Sequence, residues 1–235
     1  MAGKRDKTDS ATPSQWLVTG ANRGIGLAFA RELVKRGEAV IATSREPSKV
    51  KGLAATGARV EPLDVSDDAS VGRLARALSG EPLDVLINNA GTGDGVDSIR
   101  DLDFDNFSRF FQVNTAGPLR LARALLSNLE RGRRRTIVNL SSGLASISQN
   151  NGGWYEYRAS KAALNMSTRT LAAELAPERF IVIALSPGWV KTDMGGAGAT
   201  LSPQESVRAM LRVIDGLTPR DNGKFMDHRG RELPW

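Results

Sequence analysis

The chain contains no cysteine and a single histidine, His228, among its 235 residues. The first absence excludes disulfides, thiolate catalysis and cysteine-ligated metals. The second removes multi-histidine metal sites, so no metal centre is expected, and leaves a Ser-His hydrolase without a base, because His228 lies in the C-terminal stretch MDHRG. No segment approaches the ~18 consecutive apolar residues that a membrane-spanning helix requires, so no membrane partner is expected. The N-terminal residues MAGKRDKTDS are basic but lead into no apolar segment. They read as part of a short disordered tail over residues 1–14, ahead of one domain covering 15–235, and not as a signal peptide. The absence of cysteine does not fix the compartment; a reducing cytoplasm fits it and is the expected setting.

What the chain does carry is a net charge of +6. The excess concentrates in Lys4, Arg5 and Lys7 of the tail and in Arg131, Arg133, Arg134 and Arg135. No aromatic residue interleaves with that arginine run, unlike a surface on which bases stack. It reads as a solvated turn, and nucleic acid is not an expected partner.

Apolar runs alternate with segments of helical spacing along the whole chain, the pattern of a largely parallel sheet covered on both faces. Strands are expected over 15–18, 39–43, 59–63, 83–88, 136–140, 180–185 and 224–226. Helices are expected over 24–36, 68–78, 155–175 and 203–215, and 104–129 is long enough for one bent helix or two consecutive ones. The fold class is therefore α/β: a single-domain Rossmann fold with a doubly wound, mostly parallel, seven-stranded sheet. Ligands of such sheets bind at the C-terminal ends of the strands.

The first strand runs into Thr19-Gly20-Ala21-Asn22-Arg23-Gly24-Ile25-Gly26 and then an amphipathic helix. Glycines let the backbone turn tightly and approach phosphates, and the helix N-terminus presents free N–H groups to them. The spacing is G-x3-G-x-G instead of the broader G-x-G-x-x-G fingerprint, and an ordinary βα turn would use glycine too. A carboxylate gripping a ribose 2′-hydroxyl is expected about 20 residues on, at the end of the second strand. That strand ends Ala42-Thr43-Ser44-Arg45. Arg45 with Arg23 suits a 2′-phosphate instead, which points to NADP(H).

Of the two tyrosines, only Tyr157 has a lysine four residues later. On a helix the pair shares one face, and the Lys161 ammonium is expected to lower the phenol pKa and fit it for proton transfer. Taken alone, the spacing is equally that of a surface pair. The fifth strand ends in Asn139-Leu140-Ser141-Ser142, where a hydroxyl can polarise a substrate carbonyl or simply form a turn.

These features occur in the order TGANRGIG (19–26), LDVSD (63–67), NNAG (88–91), VNTAG (113–117), NLSS (139–142), YRASK (157–161) and PGWVKTDM (187–194). From about Gln15 onward the chain resembles the short-chain dehydrogenase/reductase family, and GGWYEYRASKAALNMST resembles its C-factor and sniffer-type carbonyl reductase branch. The resemblance implies that Gly20, Asn22, Arg23, Gly24, Ile25, Gly26 and Arg45 hold the cofactor phosphates, and that Asp64 and Val65 border the adenine. It further implies that Asn89, Ala90 and Gly91 line the cofactor, and that Pro187, Gly188, Val190 and Thr192 meet the nicotinamide. Asn114, Ser142, Tyr157 and Lys161 would be the catalytic set: Asn114 at a helix kink and relay water, Ser142 on the substrate oxygen, Tyr157 as acid–base, and Lys161 also on the ribose.

The segment Gln149–Gly153 makes the Ser142–Tyr157 connection longer than in many members and leaves the choice between Ser141 and Ser142 open. Trp154, Tyr155, Trp189 and Met194 are candidate pocket walls, and the glycine-rich stretch 194–201 a candidate lid. The expected activity is NADPH-dependent reduction of a small-molecule ketone or aldehyde, or the reverse oxidation of an alcohol. The alternative is a C-factor-like signalling protein that binds NADP(H) with little catalysis. A homodimer or homotetramer through the helices 104–129 and 155–175 is the family expectation.

Overall fold

The computed structural model describes residues 12–49 and 51–235, so most of the expected tail lies outside the described residues. Seven strands form one sheet: β1 (Gln15–Val18), β2 (Ala39–Ser44), β3 (Arg59–Pro62), β4 (Val85–Asn88), β5 (Thr136–Leu140), β6 (Ile181–Ser186) and β7 (Phe225–Asp227), in the order β3-β2-β1-β4-β5-β6-β7. Every pairing is parallel, where a mostly parallel sheet was expected. The order reverses between β1 and β4, and the carboxyl ends of the strands at such a reversal are where such sheets bind ligands.

Strand periodicity divides the core between the two faces. Trp16, Val18, Val85, Ile87, Val138 and Ile183 pack on one side beneath α1 (Gly24–Lys35). Leu17, Leu86, Ile137 and Val182 point the other way, toward α3 (Asp68–Ala77), and a short α2 (Lys51–Ala54), absent from the sequence expectation, lies between β2 and β3. Side chains two residues apart share a face, so near-continuous aliphatic strands are what a doubly covered sheet demands. The α3 helix starts where Asp67 accepts from Ala69 N and Ser70 N, a cap worth about 1 kcal/mol.

The segment expected as one or two helices is broken further. It consists of α4 (Phe104–Phe111), a π-helical turn over Gln112–Ala116, α5 (Gly117–Ala124) and α6 (Leu126–Arg131). Pro118 has no N–H for the carbonyl four residues back, that of Asn114, so the α-helical ladder cannot run through. Such π-bulges recur at functional sites. The remaining helices, α7 (Tyr155–Leu175) and α8 (Pro203–Asp215), match their expected bounds; α8 opens with a Ser202–Glu205 capping box.

Arg134 and Arg135 depart from the solvated turn that the arginine run resembled, while Arg131 and Arg133 are exposed. Arg134 lies over the Trp16 ring at 4.9 Å and donates to Ile214 O at 2.8 Å. Arg135 donates to the carbonyls of Glu178 and Glu130, both at 2.8 Å. Arg133 reaches Thr12 O at 2.8 Å and stands 3.6 Å from Asp84. Located at the amino-terminal edge of the sheet, the Arg134 and Arg135 guanidiniums satisfy carbonyls that helix ends leave open.

Candidate active site

At the carboxyl end of β1 the glycine turn wraps the start of α1. A Cβ at Gly26 would overlap the Gly20 carbonyl and lie 2.5 Å from Asn89 Nδ2, so only glycine allows this packing of turn, helix and β4. Asn89 Nδ2 donates to the carbonyls of Thr19 (2.7 Å) and Gly20 (3.1 Å), while the Thr19 hydroxyl accepts from the backbone N–H groups of Asn89 and Ala90, both at 2.9 Å. The turn is thus locked to the Asn89-Ala90-Gly91 segment. On its other side, a Cβ at Gly24 would meet Thr192 Cγ2 at 3.1 Å. The Pro187–Thr192 segment therefore closes over the turn, fixed by Ser206 Oγ donating to Pro187 O at 2.7 Å and by the buried Val190.

The two arginines have different settings. Arg23, preceding α1, is paired with Asp193 on the segment after β6. Arg45 is exposed at the end of β2 and lends positive charge to Asp64. Burial works against the Asp64 carboxylate, but hydrogen bonds from Ser66 N (2.9 Å) and Oγ (2.6 Å), with Arg45 beyond, hold its pKa below the usual carboxylate value. Val65 is buried at the same strand end, its Cβ 3.0 Å from where one on Gly117 would stand.

Four expected residues converge. Lys161, one turn beyond Tyr157 on α7, is buried with its Nζ donating to Leu140 O at 2.7 Å and 5.9 Å from the Tyr157 ring centre. Burial lowers its pKa to about 8. The Tyr157 phenol is pushed above its ordinary value by burial, an effect opposed by a hydrogen bond with Ser142. The phenol is thus not depressed as the spacing alone suggested: burial raises its pKa, and the opposing influence comes from the Ser142 hydroxyl. Asn114, fully buried in the π turn, donates to Thr92 O (2.9 Å) and Ser160 Oγ (3.0 Å) and accepts from Thr92 N (2.9 Å). It thereby ties the loop after β4 to the helix that carries Tyr157.

The two serines separate cleanly. Ser141 Oγ is buried and donates to Asn165 Oδ1 at 2.6 Å, whereas Ser142 is partly open and faces the phenol. Of the four candidate pocket walls, Trp154 stands edge-on to the Tyr157 ring at 5.9 Å, and Met194 covers Gly93. Tyr155 points to an outer cavity with Leu144, Ile147 and Arg158, and the exposed Trp189 indole donates to Gly195 O at 2.8 Å within the candidate lid. Thr92, Asp97, Glu156 and Ser160 were not singled out from sequence. Only Ser160, at i+3 from Tyr157, had a local signal; the other three are brought in by tertiary folding.

Among known proteins, the model of the short chain dehydrogenase family matches residues 15–200. The C-signal protein of Myxococcus xanthus is 48% identical over 155 residues, covering 66% of this chain and 93% of its own length. The carbonyl reductase Sniffer of Drosophila melanogaster superposes with a TM-score of 0.91 at 31% identity, over 95% of this chain and all of its own. An NADPH-bound carbonyl reductase from chicken fatty liver gives a TM-score of 0.88 at 34% identity, over 95% and 99%. Sequence, strand order and the clustered tyrosine, lysine, serine and asparagine agree: the chain belongs to the short chain dehydrogenase family.

Proposed function

We propose that this oxidoreductase reduces a ketone or aldehyde to an alcohol at the expense of NADPH, with Tyr157 as its acid–base. The observation that carries the reading is the meeting of Ser142, Tyr157 and Lys161 beside the glycine turn at the strand ends. The site fits a dinucleotide: glycines at 20, 24 and 26 fold the turn tightly against the start of α1, and an added Cβ on Gly91 would lie 3.2 Å from Asn114 Oδ1 and 3.7 Å from Lys161 Nζ, which places the loop after β4 beside both groups. Gly20, Asn22, Arg23, Gly24, Ile25 and Gly26 would hold the phosphates, with Arg45 standing where an NAD-selecting carboxylate would stand. Asp64 and Val65 would border the adenine, Asn89, Ala90 and Gly91 the ribose side, and Pro187, Gly188, Val190 and Thr192 the nicotinamide. The NADPH-bound relative supports the choice of cofactor.

When bound, NADPH supplies a hydride to the carbonyl carbon. The chain supplies the rest. Ser142 and Tyr157 hydroxyls hold the carbonyl oxygen where negative charge develops, and the Tyr157 proton passes to that oxygen. The Lys161 ammonium then stabilises the phenolate left behind, while Asn114 fixes both walls of the site through Thr92 and Ser160. The raised phenol pKa suits a group that must stay protonated to act as an acid. Tyr157→Phe is expected to lower kcat by at least about 10²-fold while the NADPH Kd changes little. Near-normal turnover in that variant would overturn the assignment.

The similarity to C-signal favours a second reading, a signalling protein that binds NADP(H) without turning over. The complete proton-handling set argues for catalysis, since binding alone has no use for it. Measuring NADPH oxidation against ketones, aldehydes, quinones and imines separates the two.

A further inference from the structure

Trp154 adopts φ 54° and ψ 45°, the left-handed region, immediately before α7. Among the described residues, two other non-glycine residues have positive φ, Arg135 and Arg179. Both lie in turns at the amino-terminal end of the sheet, away from the site. A bulky side chain in this region persists only where its surroundings impose it, and such positions cluster at functional sites.

Three hydrogen bonds hold the strained residue in place. Asp97 Oδ1 accepts from Trp154 N at 3.2 Å, Val96 O accepts from Tyr155 N at 3.0 Å, and Glu156 Oε2 accepts from Val96 N at 2.9 Å. Gly153, itself at φ 68°, permits the approach, because a Cβ there would stand 2.6 Å from Asp97 Oδ1. The clasp's result is the edge-on contact of the Trp154 indole with the Tyr157 ring, at 5.9 Å and 70°.

We propose that Trp154 is a specificity-determining residue: its indole forms an aromatic wall steeply inclined to Tyr157, against which a flat, conjugated carbonyl compound lies while its oxygen reaches Tyr157 and Ser142. The inference rests on the carbonyl-reductase reading and deepens it by naming the substrate shape. A planar π-system gains face or edge contact with an indole that a puckered ring of the same size cannot match.

The test compares 1-phenylethanone with 1-cyclohexylethanone, which share a carbon skeleton and differ in flatness. The wild type is expected to favour the phenyl ketone in kcat/KM. Trp154→Gly should reduce that preference by about ten-fold, and Trp154→Phe should largely retain it. Glycine relieves the left-handed strain while the lost indole contact and the freer unfolded chain offset it, so Trp154→Gly should shift Tm by no more than about 4 °C, separating loss of specificity from loss of fold. The NADPH Kd should not move in either variant.

Binding of 1-phenylethanone to the NADP⁺ complex, followed by calorimetry, gives a readout independent of turnover and should weaken by the same factor in Trp154→Gly. An unchanged phenyl preference in Trp154→Gly overturns the proposal, as does unchanged binding to the NADP⁺ complex. Ketone binding that weakens in Trp154→Gly, in a chain that reduces no carbonyl compound, overturns the reductase reading and upholds the aromatic wall.

Discussion

Replacing Lys161 by methionine should stabilise the cofactor-free chain even as it damages the site. The ammonium is buried, 5% exposed, with the Leu140 carbonyl as its hydrogen-bond acceptor. Burial brings its pKa from the ordinary 10.5 to about 8, a fall that corresponds to about 3 kcal/mol opposing folding at pH 7. Methionine fills a similar volume without the charge, but it leaves the Leu140 carbonyl unpaired at a cost of about 1–2 kcal/mol. The net expectation at pH 7 is a gain of about 1–2 kcal/mol, read as roughly 2–8 °C in Tm for a chain of this length.

The pH dependence gives the sign independently. When a lysine's folded pKa lies below its unfolded value, the unfolded chain holds the proton more tightly between the two. Wild-type stability therefore rises from this group as pH climbs from about 8 to 10.5, while Lys161→Met lacks that rise. Thermal melts of both chains at pH 7 and pH 9.5, without nucleotide so that ligand binding adds nothing, should show their difference shrinking with pH. If the variant were less stable at pH 7 and the difference constant, the ammonium would be fully compensated in the fold, and the argument from burial would fail.

Two further outcomes follow from the geometry. Ser142→Ala should lower kcat by about 10²-fold with little change in Tm, whereas Ser141→Ala should retain most activity and lose about 1–3 kcal/mol of stability, because Asn165 Oδ1 loses its 2.6 Å donor. Equal kinetic effects would remove the distinction between them. Arg134→Ala should lower the urea midpoint by an amount equivalent to about 1–2 kcal/mol, through loss of the Trp16 contact and the Ile214 cap; a silent substitution would return the arginine run to the class of solvated charge.

The parts of this molecule legible in its sequence are those set by local patterns. Near-continuous aliphatic runs placed each strand to within a residue or two, because a sheet buried on both faces leaves little room for polar interruption. The glycine turn was legible because turn geometry and phosphate access make the same demand at the same residues. Tyr157 and Lys161 shared a face by helical spacing alone. What the spacing could not give is the extent of burial, which depends on how deeply α7 sits against β5 and reverses the expected direction of the phenol's pKa. The same limit applies to Arg134 and Asp97. An arginine in a polar run looks solvated until Trp16 and the end of α8 are folded against it, and an aspartate in GTGDGVD carries no sign that it will hold Trp154 left-handed. Asn114 lies between these cases. Pro118 announces a break in the helix, but the π turn becomes a working part only through Thr92 and Ser160, residues 22 and 46 positions away. Residue types and local turns thus mark where chemistry can occur, and long-range contacts decide which of the marked groups face each other.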